Sequence, residues 1–405
     1  MPALYPFRAV RPSRDKVHLV GSRSYVTYAQ GELEEKLKGN PYSFLHIIRP
    51  ELDAAFHALP RAERFGRIRE EYEGYVNGGI LLKDLDPGFY YYEQTTSGRT
   101  YSGFIGAIDT AEYDAGNIKV HEQTLERREQ IFAEYLDATR FNAEPVLLVH
   151  DDDAEVEALR EEVTAVRPEY EFTTTDKVYH ALWLVEDPAI QRAVTAAFAR
   201  MDALYIADGH HRSASSARLS HMLEGPEGAS WHRMMALCLP ASRMAIFPFH
   251  RLVRTLDCSP EALLEGLKTQ GHLEVLDGPA EPKCEGVVHV YLGGQWYRLT
   301  WPASEQLSAT QRLDAARLSR KILGPVLGIG DLRNDRRIDF LGGPNRITDL
   351  QNAVDSGQFE VAFALCAVPF DSLKAVADEG GTMPPKSTFV EPKLRSGITI
   401  FELES

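Results

Sequence analysis

Residues 204–212 (LYIADGHHR) constrain this chain more than any other stretch. An apolar run ends in Asp208, Gly209, His210, His211 and Arg212, which reads as a strand that delivers polar groups to the start of a helix. Gly209 sits at the turn, where the lack of a Cβ permits a left-handed backbone and close approach of a ligand. A helix start carries unpaired N–H groups and a partial positive charge, so His210, His211 and Arg212 there suit a phosphate or carboxylate. Asp208 adds a group that can hold Mg²⁺ or take a proton from an attacking hydroxyl. Adjacent histidines do not share one metal on a helix, because ligand pairs there need a spacing of three or four. Singly, Asp208 reads as a helix cap and Arg212 as a surface ion pair; together the residues favour a functional site. Ser215, Leu219, Met222 and Leu223 supply the following helix with a mostly apolar stripe, away from Arg218 and His221.

The chain has 405 residues, enough for two domains or one elaborated core, and its 44% hydrophobic and 25% charged composition is that of a globular protein. A net charge of −15 argues against coating nucleic acid or an anionic membrane. Cys238, Cys258, Cys284 and Cys366 form no C-x-x-C pair, so neither a zinc ribbon nor a dense disulfide framework is expected. Residues 1–14 carry Pro2, Pro6, Pro12 and charges, so no signal peptide is visible and a cytoplasmic location is expected. The most apolar stretch, 234–249, is broken by Pro240, Arg243 and Pro248, which excludes a simple membrane span.

Residues 89–96 and 100–108 flank Ser97 and Gly98 and predict a hairpin; 287–292 and 295–301 do the same around Gly293 and Gly294. Residues 121–139 predict an amphipathic helix, with Leu125, Phe132 and Leu136 at helical spacing. A buried strand at 145–150 precedes Asp151, Asp152 and Asp153, which read as a solvated turn before a helix at 155–166 rather than as metal ligands. A strand at 177–185 and a helix at 188–201 lead to the strand at 204. Strands are also expected at 359–368 and 398–403, the second tying the C-terminus into a sheet. The alternation of strands and helices predicts an α/β fold with a mixed sheet.

Other groups could carry chemistry. His121, Glu122 and Thr124 are placed at a helix start, where Glu122 reads equally as an ordinary first-turn acid. Lys393 and Arg395 lie between two expected strands, where alternation puts both on one face suited to phosphate oxygens; a polar hairpin tip is the alternative. His250 and Arg251 form a basic pair at a strand end, explained nearly as well by a core histidine and a surface arginine. Arg8 is a further candidate for the same pocket.

The motif at residues 208–212, with 40–51 (NPYSFLHIIRPE), 119–129 (KVHEQTLERRE) and 384–403 (PPKSTFVEPKLRSGITIFEL), resembles a prokaryotic family catalogued as domain of unknown function 1015. Its relatives are the free serine kinases and, more distantly, the nucleotide-binding domain of ParB partition proteins and sulfiredoxin. The resemblance spans essentially the whole chain. It implies a ParB/sulfiredoxin-like catalytic core within residues 151–405, an α/β region at 1–150 that contributes to the site, and phosphoryl transfer from ATP with Mg²⁺ to free L-serine. Where many members of the family have an aromatic residue after the motif arginine, this chain has Ser213 and Ala214.

Absent signatures narrow the chemistry further. Residues 324–330 (GPVLGIG) lack the lysine and spacing of a phosphate-binding Walker loop, and neither HRD nor DFG occurs. No G-x-S-x-G or H-E-x-x-H is present, which lowers hydrolase readings. The leading expectation is a small-molecule kinase in which Asp208 or Glu122 orients the serine hydroxyl. The alternative is a nucleotide-binding switch without a metabolite acceptor.

Overall fold

A computed structural model describes residues 1–24, 28, 31–48, 56, 58–226, 228–303 and 306–404. The chain forms two compact units, one of Met1–Lys119, Thr124–Met244 and Pro392–Ser405, the other of Val120–Gln123 and Ala245–Glu391. Residue 150, the expected boundary, lies inside the first of these.

The first unit is built on a nine-stranded mixed sheet. Its strands are β1 (Leu4–Tyr5), β2 (Phe89–Thr96), β3 (Arg99–Asp109), β4 (Ile118–Lys119), β5 (Val146–His150), β6 (Tyr170–Thr173), β7 (Tyr179–Val185), β8 (Leu204–Asp208) and β9 (Arg233–Pro240). They lie in the order β4-β8-β5-β9-β3-β2-β7-β6, with β1 paired to β3. The β4/β8 and β5/β9 pairs are parallel and the others antiparallel, so the expected mixed α/β fold is present. Four helices serve this sheet: α1 (Glu126–Thr139), α2 (Ala154–Thr164), α3 (Pro188–Ala199) and α4 (His210–Met222).

Local chemistry explains much of this. Ser97 and Gly98 both have positive φ, as a two-residue hairpin turn matched to strand twist requires. Asp153 accepts the amides of Glu155 and Val156 at 2.9 and 3.0 Å and so caps α2; the acidic run is a helix start. The central strands are covered on both faces, and Leu148, Ile206 and Phe198 are fully buried in one core cluster. Each such side chain contributes about 1.5–3 kcal/mol of hydrophobic stabilisation.

The C-terminal strand Ile400–Glu402 lies between Ala9–Pro12 and Phe141–Asn142 in a four-stranded antiparallel sheet closed by Leu81–Lys83. That sheet fastens the end of the chain into the first unit, as expected of a strand at 398–403.

The second unit carries a seven-stranded antiparallel sheet. Its members are β10 (Ala245–Val253), β11 (His272–Leu276), β12 (Val287–Leu292), β13 (Gln295–Thr300), β14 (Ile338–Gly342), β15 (Val361–Leu365) and β16 (Thr388–Glu391). Their order is β11-β13-β12-β15-β10-β14, with β16 paired to β10. Gly293 and Gly294 turn the β12–β13 hairpin at positive φ. Ser259 caps α5 (Pro260–Gln270), whose Leu263 and Leu267 pack into a core with Val290 and Phe363.

Three expectations are corrected. The helix expected from residue 121 begins at Glu126, because Leu125 is extended at φ −97° and ψ 117°. His121 and Glu122 instead belong to the second unit, where the His121 carbonyl accepts the Met383 amide at 2.9 Å. Lys393 and Arg395 do not alternate along a strand, since β16 ends at Glu391 and the chain is irregular up to residue 399. The buried face of α4 is wider than the expected stripe and ends earlier: Ser215 and Leu219 are buried as expected, Met222 is half exposed, and Ser213, Ala214, Ser216 and Ala217 are buried as well. Small residues cover this helix on several sides, which lets neighbours approach it closely. Residues 49–51 of the segment 40–51 lie outside the described residues.

Candidate functional site

The site grows from the end of β8. Gly209 adopts φ +101°, and the chain passes directly from strand to helix with an N-cap residue that has no side chain to cap the first amides of α4. A Cβ at this position would lie 2.8 Å from Nε and Nη2 of Arg212, so the glycine also makes room for the guanidinium that folds back over the turn. Nη2 of Arg212 donates to Oδ2 of Asp208 at 2.8 Å, and Nη1 pairs with Glu144. Burial pulls the Arg212 pKa down to about 10, which still leaves the group charged at neutral pH.

The C-terminal segment completes the arrangement. Nζ of Lys393 lies 3.7 Å from Oδ1 of Asp208, and the Ser396 hydroxyl donates to Oε2 of Glu144 at 3.0 Å. The Gly397 amide donates to the Ala143 carbonyl at 2.9 Å, and Ser396 exchanges backbone hydrogen bonds with Ser22. Two cations, Arg212 and Lys393, therefore face two carboxylates, Asp208 and Glu144. A polyanion entering here must displace a carboxylate from Arg212 or bring a cation with it.

Beside this group, Arg395 donates to Oδ2 of Asp176 at 2.7 Å, and Nε of Arg23 lies 3.8 Å from the same oxygen. Burial opposes ionisation of Asp176, but the Thr174 hydroxyl and Arg395 outweigh it and hold the pKa at about 2. His180 stacks on Phe172 and Tyr92, and its Nδ1 is 2.7 Å from the Tyr92 hydroxyl. Burial, with Arg395 nearby, lowers the His180 pKa to about 3, so the ring is neutral. Ser22 Oγ and the Nε2 or Nε atoms of His180, Arg23, Arg212 and Arg395 are buried without a hydrogen-bond partner. Buried polar atoms are nearly always satisfied, so five in one neighbourhood mark a place for water or a polar ligand.

Of the residues singled out in the sequence, Asp208, Gly209, Arg212 and Lys393 thus meet, with Arg395 two residues beyond Lys393. His210 is buried at the start of α4 and His211 is partly exposed. Arg8 pairs with Glu404 at 3.6 Å instead of joining the cluster. Thr124 bonds Glu129 just before α1 rather than opening a helix. His250 and Arg251 lie in β10 of the second unit, and Arg251 is fully buried, so the surface-arginine alternative does not hold. Arg251 donates to the Phe249 carbonyl and, at 3.3 Å, to that of Pro385. His250 Nδ1 accepts the Leu365 amide at 3.1 Å.

Glu144, Asp176, His180, Arg23 and Ser22 had no signal in the sequence, since each is an isolated polar residue in or beside a loop or strand. Asp208 and Glu144 both pair with the Arg212 guanidinium, and carboxylate oxygens are the donor type that Mg²⁺ takes. Mg²⁺ commonly uses one or two carboxylates together with phosphate oxygens. Among the described residues no group of three His, Cys, Asp or Glu side chains could hold a metal by itself.

Similar solved structures include free serine kinase in complex with AMP, at 15% identity and TM-score 0.40, covering 74% of this chain and 91% of that one. A mutant free serine kinase in complex with ADP is 16% identical, with TM-score 0.39 and coverage of 74% and 92%. SbnI with C-terminal truncation from Staphylococcus aureus is 12% identical, with TM-score 0.38 and coverage of 74% and 87%. No curated protein matches the chain significantly. Residues 4–316 match the family described as Protein of unknown function (DUF1015), and the chain belongs to that family.

Proposed function

We propose that this protein is a small-molecule kinase that transfers the terminal phosphoryl group of a nucleoside triphosphate, ATP, to the hydroxyl of free L-serine. The observation that carries the reading is the uncapped start of α4, with Asp208, Arg212 and Lys393 gathered over it. Phosphoryl transfer asks for positioning and charge neutralisation more than covalent catalysis, and a helix N-terminus with two adjacent cations supplies both.

In this reading the α4 amides, with His210 and His211, cradle phosphate oxygens, and Lys393 and Arg212 neutralise the charge that builds up on transfer. Asp208 orients the acceptor hydroxyl and takes its proton as the new O–P bond forms and the bond to the nucleoside diphosphate breaks. Asp208 and Glu144 are the residues that would hold Mg²⁺, which when bound shields phosphate charge. Arg395, Arg23 and Ser22 offer buried donors for the carboxylate of the amino acid.

The test is incubation of the purified full-length protein with ATP, MgCl₂ and L-serine, followed by ³¹P NMR and mass spectrometry of the products. O-phosphoserine formed in equal amount to ADP supports the proposal. Nucleotide binding without serine-dependent turnover would point to a nucleotide-operated switch, and phosphate release independent of serine to a hydrolase; either result overturns it.

A further inference from the structure

His180 is buried and neutral, and phosphoryl transfer as described above gives it no task. It lies in β7 between β2 and β6, and the strand register sets it opposite Gln94 on one side and Phe172 on the other. Cross-strand partners share a face of the sheet, so Gln94, His180 and Phe172 stand together, with Tyr92 two residues along from Gln94. Asp176 lies in the turn that joins β6 to β7, and Arg395 of the C-terminal segment bonds it at 2.7 Å. The next residue, Ser396, exchanges backbone hydrogen bonds with Ser22. Burial, then the Arg395 charge, keeps the His180 ring neutral although Asp176 opposes them, which places the guanidinium close to the ring.

The hydrogen bonds locate the proton of that neutral ring. Nδ1 is 2.7 Å from the Tyr92 hydroxyl, whose other partner among the described residues is Oε1 of Gln94 at 3.4 Å. An O–H···O bond spans about 2.5–3.0 Å, so the hydroxyl gives its proton to Nδ1 and not to Gln94. With Nδ1 accepting, the imidazole proton resides on Nε2. That N–H has no hydrogen-bond partner among the described residues, in a side chain that is 0% exposed. Nε of Arg395 and Oγ of Ser22 are likewise buried and unpartnered, in residues 7% and 4% exposed. Arg23 and Asp176 are partly exposed and give the cluster its side toward solvent.

All of these groups donate, and neither the guanidinium nor Nε2–H can accept. Their common complement is an oxyanion. An ammonium group or an amide N–H placed here would set donor against donor and leave buried groups unpaired.

We propose that His180 is a specificity-determining residue whose Nε2–H, fixed by Tyr92, donates to the carboxylate of the acceptor beside Arg395 and Ser22. The inference rests on the phosphoryl-transfer reading and narrows its acceptors to alcohols that carry a free carboxylate. L-Serinamide, which offers an amide in place of the anion, is excluded. Tyr92 is a positioning residue that acts through His180.

Two measurements on the full-length protein test this: isothermal titration calorimetry with L-serine or L-serinamide in the presence of MgADP, and steady-state kinetics of product formation. L-Serine should bind, and L-serinamide at least about 100-fold more weakly, because a site built to hydrogen-bond one group rejects the analogue that lacks it. His180→Leu should weaken L-serine binding and raise its KM about 10- to 100-fold, as loss of a hydrogen bond to a charged group does, with the KM for ATP within about twofold. His180→Gln, whose amide N–H can take the place of Nε2–H, should recover most of that loss. A purely structural role would move the KM for ATP as well. Should the melting curve show His180→Leu unfolded, Tyr92→Phe carries the test and should weaken L-serine binding about three- to tenfold.

Equal affinity for serine and serinamide, L-serine affinity unchanged in the folded variants, or no L-serine binding up to about 10 mM would overturn the inference. Phosphoserine formed without this discrimination removes the role of His180 and leaves the kinase reading standing. Carboxylate-selective binding that depends on His180, without any phosphoserine, supports the role of His180 in recognition and removes the kinase reading.

Discussion

Replacing Asp208 by alanine should separate chemistry from stability. The carboxylate makes two ion pairs, to Arg212 at 2.8 Å and Lys393 at 3.7 Å, and its side chain is 41% exposed. Ion pairs at such exposure are worth about 0.2–1 kcal/mol each, so Asp208→Ala should cost less than about 2 kcal/mol. At about 2–4 °C per kcal/mol for a domain of this size, the melting temperature should fall by no more than about 8 °C. If Asp208 is the group that takes the proton from the serine hydroxyl, phosphoserine formation should fall about 10²- to 10⁴-fold. His211→Ala should likewise lose turnover with little change in melting. The assay is a single-turnover measurement of phosphoserine with saturating ATP, beside a calorimetric melting curve on the same sample. Turnover of Asp208→Ala within about twofold of the wild type would refute the assignment, whatever the melting temperature.

Arg395→Ala offers a contrast, because its side chain is only 6% exposed and its pair with Asp176 spans 219 residues of sequence. The Asp176 carboxylate left behind is 26% exposed and keeps Arg23 at 3.8 Å, so loss of this charge-assisted hydrogen bond should cost about 1.5–3 kcal/mol in urea denaturation, and an unchanged stability would contradict the pairing. Gly209→Ala should force an unfavourable left-handed backbone costing about 1–2 kcal/mol and push Arg212 off its carboxylates. Activity should be lost with it, and a fully active variant would exclude the close fit described. In the second unit, burial raises the Asp314 pKa from 3.8 to about 7, although the Gly286 amide and Arg317 favour the ionised form. Between about pH 4 and 7 the native state retains a proton that the unfolded chain has released, so stability should fall by about 4 kcal/mol as pH rises through that window. Asp314→Asn should flatten this slope in urea denaturation at pH 5 and pH 8; an unchanged slope would exclude the assignment.

Short-range chemistry was legible from the residues alone. The apolar run before Asp208, the glycine and the polar helix start predicted a strand, a turn and a helix, and those form. The paired turns at Ser97–Gly98 and Gly293–Gly294 declared their hairpins because only certain residues tolerate positive φ at low cost. The helix start at residue 121 was misplaced because spacing of apolar residues does not record where a neighbouring segment captures the backbone, as Met383 does at His121.

Tertiary structure alone decided the surroundings of the motif. Glu144 meets Ser396 across 252 residues of sequence, and Asp176 meets Arg395 across 219. No periodicity links such partners, because an ion pair needs only two atoms at one place in space and leaves no pattern along the chain. The sequence determined that a strand, a glycine turn and a polar helix start would follow one another at residues 204–212. Folding decided that this turn would meet Glu144 and the C-terminal segment, because sheet pairing, rather than local preference, brings those loops to the end of β8.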